Sequence, residues 1–144
     1  MKRENSESSD VSVFAENASF SEYSDFAAEL PLISDYLTTV RLTTGGICAM
    51  RGIDVDYTED IKVCVTEALL VLKRNGFARA KLLFAFSDGK ISCRVLGVGK
   101  PVLREEKGDG LGEDEISFAL LSALVEESRV KRDGETVAEI AFLA

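Results

Sequence analysis

The sequence predicts an α+β fold, a two-layer sandwich with helices packed on one face of a mostly antiparallel sheet. Three observations lead there. Apolar residues recur with helical period from Ser34 to Arg74 and again after Gly108. Period-two alternation frames two turn signals, Asp88-Gly89 and Asp133-Gly134. The resulting order is strand, two helices, hairpin, helix, hairpin.

Each element has its own reason. Residues 1–22 are polar and rich in Ser and Glu apart from VSVFA, which predicts a loose, flexible segment with room for one short strand. Residues 23–144 then form one domain. FAAELPL reads as a strand ended by Pro31. Ser34 or Asp35 opens a helix whose apolar face is Leu37, Val40, Leu42, Ile47 and Met50. Gly45 and Gly46 lie inside it, each costing about 1 kcal/mol against Ala, so they imply close packing or a bend.

Asp56, with Glu59 three residues on, predicts a capped helix start. Ile61, Cys64, Val65, Ala68 and Leu72 follow as one continuous face. Asp60, Val63, Glu67, Val71 and Arg74 lie on the neighbouring face, which sets Glu67 at the margin of the apolar stripe. Gly76 can end this helix. AKLLFAF and ISCRVLG flank the first turn. In GDGLGEDEISFALLSALVEES, the triplet Glu113, Asp114 and Glu115 fits a helix first turn, where acids complement the dipole. SRVKR and TVAEIAFL flank the second turn.

Composition narrows the function. The chain has 144 residues, 46% hydrophobic, and a net charge of -8. That charge opposes binding to nucleic-acid phosphates and to acidic membrane surfaces. There is no histidine, which excludes Ser-His-Asp and Cys-His catalysis and histidine metal ligation within this chain. Cys48, Cys64 and Cys93 lack metal-ligand spacing and read as reduced core residues. No run is long enough to span a membrane, and no apolar leader precedes the domain, so a cytoplasmic location is expected.

The stretch RLTTGGICAMRGIDVDYTEDIKVCVTEAL resembles the anti-sigma factor serine kinases, a branch of the GHKL (histidine-kinase-like, Bergerat-fold) ATPases. The motif positions are Glu59, Asp60, Ile61, Lys62, Val65, Thr66, Glu67 and Ala68. GDGLG, Gly108 to Gly112, is similar to the family's second glycine box. The resemblance spans roughly residues 26–143. It implies a histidine-kinase-like ATPase fold, Glu67 as general base, and Gly99, Gly108, Gly110 and Gly112 near nucleotide. It also implies that Arg41 contacts partner proteins.

Four features depart from the family pattern. Where the family has a magnesium-binding Asn, one helical turn after the Glu, this chain has Val71, which cannot coordinate a hard cation. Gly97 stands where an Asp would bond adenine, a loss of roughly 1.5–3 kcal/mol. Only KPVLREEK separates Gly99 from Gly108, where the family has a long lid. Glu113, Asp114 and Glu115 crowd the expected phosphate end; one carboxylate at ~6 Å from a phosphate charge costs about 3 kcal/mol at an effective dielectric of ~20. Arg104 and Lys107 offset part of this.

The resulting expectation is an anti-sigma-factor-like regulatory protein with lost or impaired ATP binding, no metal and no cofactor. Glu67 would be a remnant base, or simply an edge-of-core carboxylate paired with a nearby Lys or Arg. The partners implied are a sigma factor or an anti-sigma antagonist, with a homodimer expected. The alternative is an active ATP- and magnesium-dependent serine kinase that phosphorylates the antagonist.

Overall fold

The computed structural model describes residues 24–102 and 108–144, with side chains in the second stretch from Gly112 onward. The order is β1 (Phe26–Pro31), α1 (Ser34–Met50), α2 (Val55–Arg74), β2 (Arg79–Ser87), β3 (Lys90–Val98), α3 (Gly108–Leu124), β4 (Glu127–Asp133) and β5 (Thr136–Leu143). The five strands form one sheet, ordered β1-β2-β3-β5-β4, and every pairing is antiparallel. This arrangement is consistent with the histidine-kinase-like ATPase fold. The expectations for residues 1–22 and for Arg104 to Lys107 lie outside the described residues.

Helix α2 is the spine of the core. Ile61, Cys64, Val65, Ala68, Leu69, Val71 and Leu72 are fully buried on it. They meet Leu82, Phe84, Val95, Ile140 and Phe142 from the inward rows of the sheet. Burial of each large apolar side chain contributes about 1.5–3 kcal/mol, so this face fixes α2 on the sheet. The first hairpin turns through Asp88 and Gly89, both with positive φ (54° and 78°), which matches a type I′ turn.

Four local expectations are corrected. The cap of α2 is Asp54, not Asp56: its side chain accepts from Tyr57 N at 2.8 Å. Glu59, five residues after this cap, is outside the capping-box position and pairs with Lys62 instead at 3.0 Å. On α1, Leu42 and Met50 are 71% and 77% exposed, while Thr44 and Cys48 are buried. At 100° per residue, Leu37, Val40, Thr44, Ile47 and Cys48 share the inward face, and Leu42 and Met50 fall opposite. Val71 is not on the marginal face beside Glu67 but in the core. Finally, α3 begins at Gly108, so the acidic triplet sits beyond its first turn.

Gly45 explains itself through packing. A Cβ there would lie 3.0 Å from Lys62 Cε, so the glycine lets the lysine stem pass between α1 and α2. The helix runs through Gly45 and Gly46 without interruption.

Candidate functional site

Glu67 stands half-buried on α2, beyond the fully buried stripe. Its Oε1 accepts a hydrogen bond from Ser117 Oγ of α3 at 2.7 Å. The same hydroxyl accepts from Arg74 Nη2 at 2.8 Å. Arg74 Nε donates to Asp114 Oδ1 at 2.8 Å, and Asn75 Nδ2 donates to Asp114 Oδ2 at 2.9 Å. Asn75 Oδ1 in turn accepts from Val137 N of β5 at 2.9 Å. The sequence folds this way because Glu67 and Arg74 are seven residues apart, two turns along one helix face. Asp114 and Ser117 are three apart and share a face of α3.

The network ties α2, α3 and β5 into one unit. Ser117 is 1% exposed and Asp114 is 9% exposed. Such groups are tolerated inside only when their hydrogen bonds are made. Asp114 was expected as one of three first-turn acids facing the phosphate end; instead it is the buried acceptor of Arg74 and Asn75. Glu67 was expected beside a Lys or Arg. Its direct partner is the Ser117 hydroxyl, through which Arg74 is reached.

Below this network the C-terminal end of α2 is tightly covered. Gly76 has φ +100°, and its carbonyl accepts from Val102 N at 2.9 Å. A Cβ on Gly76 would fall 2.3 Å from Val102 O, so only glycine fits. Phe77 follows immediately and is buried. Its ring lies against Gly97 of β3: a Cβ on Gly97 would be 2.5 Å from the ring carbons. The absence of a side chain at 97 is therefore matched by an aromatic ring filling the same space.

The remaining sequence-chosen residues lie around this centre. Gly99 follows β3 with open space beside it. Gly108, Gly110 and Gly112 are helical residues at the start of α3 rather than a turn before it. Arg41 is exposed on α1 and takes no part in the Glu67 network. The structure thus joins Glu67 to Ser117, Arg74, Asp114 and Asn75, none of which the sequence had marked as its partner. Neither Asn75 nor Ser117 carried a site signal in the sequence.

The three cysteines are buried and chemically quiet. Burial pushes the Cys64 thiol up to about 12, with Asp60 and Glu67 adding to the shift. Burial likewise raises Cys93 well above the usual thiol range and raises Cys48. Among the described residues no group of three His, Cys, Asp or Glu side chains is placed to hold a metal ion. No helix among them is long and apolar enough to cross a membrane.

The helix-on-sheet layers are consistent with the ATPase-like architecture. No family model matches the chain. By sequence it is similar to the serine-protein kinase RsbW of Staphylococcus epidermidis, 25% identical over 133 residues, covering 79% of this chain and 84% of the relative. It is also similar to the serine-protein kinase RsbW of Bacillus licheniformis, 27% identical over 131 residues, covering 78% and 82%. The same kinase from Staphylococcus aureus MRSA252 is 23% identical over 133 residues, covering 79% and 84%. These are distant homologues that span most of the domain.

Proposed function

We propose that this protein is an anti-sigma-factor-like regulator that keeps a kinase-type scaffold for protein binding and has lost or impaired nucleotide binding. The observation that carries the reading is the Phe77 ring against Gly97. At the position where the resembling family bonds adenine, this chain offers no acceptor side chain, and an aromatic ring fills the space. Val71, at the magnesium position, is fully buried in the core. The residues present do not fit a nucleotide with its metal ion, and no phosphoryl-transfer step is derived for them.

In this reading Glu67 acts in structure. Its carboxylate holds α3 through Ser117, where a base would be open to a substrate. The partner is a sigma factor or an anti-sigma antagonist, and the mechanism is occlusion of a bound sigma factor from RNA polymerase. Arg41 on the exposed side of α1 is the residue assigned to partner contact. A homodimer and a single domain over residues 23–144 complete the proposal.

The kinase reading keeps one specific support: the similar proteins are named serine-protein kinases, and Glu67 is the residue that the motif resemblance casts as general base. A binding experiment separates the two. The purified chain is titrated with the sigma factors and antagonist proteins of its own genome, with and without ATP and magnesium. Tight binding of one of them, equal in both conditions and weakened by Arg41→Glu, is the expected result. Phosphate transfer to an antagonist, abolished by Glu67→Gln, would replace this proposal with the kinase.

A further inference from the structure

Helix α3 and the edge strand β4 leave a cleft between them of about 190 Å³. Its floor is Leu121 of α3 and Ile140 of β5, each 1% exposed. Phe118 and Val130 are its apolar walls, and Ser128 lies beside them. Ser122 and Arg132 are exposed, so the mouth opens at the rim of the sheet. The cleft shares no residue with the Glu67 network. At about 100° per residue, Ser117 turns toward α2, while Phe118 and Ser122 turn toward β4.

Size decides what kind of group fits. Sites for drug-sized molecules hold roughly 300–1,000 Å³. A cavity of about 150 Å³ lined by apolar side chains takes a benzene ring. The cleft therefore suits one side chain of leucine or phenylalanine size, the anchor of a larger partner.

Strand β4 adds two further features. It is the last strand in the sheet order, and among the described residues it pairs only with β5. The outer rim of such a strand carries backbone N–H and C=O groups that can pair with an incoming strand. Ser128, Val130 and Arg132 alternate along β4 and face the cleft, while Lys131 faces the other way. Lys131 and Arg132 are both exposed. Among the described residues neither joins an ion pair. The Arg132 guanidinium carbon lies 5.9 Å from the Phe118 ring centre, and its planar fork matches a carboxylate. In a chain of net charge -8, these two cations beside an apolar cleft are a local exception. Edge cations alone serve to repel stray strands. With an anchoring cleft next to them, they select acidic ones.

We infer that the α3–β4 cleft and the rim of β4 are a docking site for an extended acidic segment of a partner protein. The segment lies alongside β4, drops one apolar side chain into the cleft and sets a carboxylate on Arg132. Side chains of an added strand alternate, so the anchor and this carboxylate are two residues apart on one face, about 7 Å along the strand. The residue between them faces the Lys131 side and is acidic too. The recognised pattern is an apolar residue with two acids beside it, read in either direction according to how the segment runs. This surface is separate from Arg41 on α1, so the two assignments stand or fall independently.

The test uses the full chain and the peptide acetyl-Thr-Asp-Asp-Leu-Asp-Asp-Thr-amide, which carries the pattern in both directions. Amide signals are followed by NMR as peptide is added. Saturable shifts centred on Ser122, Ser128, Val130 and Arg132 are expected at millimolar peptide. Replacing the leucine by serine, or the aspartates by lysines, should weaken binding about tenfold or more. Arg132→Glu should weaken the acidic peptide to a similar degree and improve binding of the lysine peptide. Ser122→Tyr, at an exposed position, should block the mouth and remove the shifts. Arg41→Glu should leave them unchanged. Absence of shifts on β4 at millimolar peptide would overturn the proposal. So would equal binding of the acidic and lysine peptides, or acidic-peptide binding unaffected by both Arg132→Glu and Ser122→Tyr.

Discussion

Replacing Asp114 with Ala would show how much the network between α2 and α3 contributes. The Asp114 side chain is 13% exposed and its partner Arg74 is 21% exposed. Asp114 accepts from Arg74 Nε at 2.8 Å and from Asn75 Nδ2 at 2.9 Å. Breaking a fully buried ion pair by removing one partner costs about 3–5 kcal/mol. Arg74 keeps Ser117 Oγ and the Glu113 carbonyl, and a fifth of its side chain reaches water, so the cost here should be lower. Losing two charge-assisted hydrogen bonds in this setting gives about 2–3 kcal/mol. For a domain of this size that is a fall in Tm of roughly 6–12 °C.

Urea unfolding followed by circular dichroism would measure it, with Glu115→Ala as the control. Glu115 is the exposed neighbour of Asp114 and should change stability by less than about 0.5 kcal/mol. If Asp114→Ala were equally mild, the network would contribute nothing, and the account of Glu67 as a structural carboxylate would lose its support.

Other expectations follow from single residues. Asp54→Ala should cost about 1 kcal/mol by removing the α2 cap, while Asp56→Ala should cost a few tenths at most; urea midpoints compare the two. Gly97→Ala should destabilise by about 1–3 kcal/mol through overpacking against Phe77, and adding Phe77→Ala should make the pair markedly non-additive in a double-mutant cycle. Raised thiol pKa values stabilise the fold below the unfolded value. That stability is lost as pH rises from 9.0 toward about 12, because the unfolded chain releases protons that the folded Cys64 retains. Unfolding at pH 7 and pH 10 should show the drop, and Cys64→Ala should reduce it.

Much of the fold was legible because the sequence signals are local and periodic. The two hairpins follow from alternation around Asp-Gly turns, and α2 from a continuous apolar face. The misplacements have local causes. Leu42 and Met50 looked like core residues by type, but helical geometry turns them outward, and Thr44 takes the inward place. Asp56 competed with Asp54 for the cap, and the extended backbone at Asp54 decides it.

The site was less legible for a different reason. Glu67, Val71 and Gly97 could be singled out from spacing and resemblance, since each occupies a motif position. Their surroundings depend on contacts between residues far apart in the chain. The Glu67–Ser117 bond joins residues fifty apart, and no periodicity announces it. Nothing in the sequence marked Phe77, which simply follows Gly76. Only the approach of β3 shows that its ring fills the space beside Gly97.

The central claim is that this scaffold binds protein and not nucleotide. Its most direct test is calorimetric titration of the purified full chain with ATP and with ADP, each with magnesium. The account predicts no binding up to millimolar nucleotide. Binding at micromolar strength would contradict it, because a nucleotide would then have found room that Phe77 and the buried Val71 are said to deny.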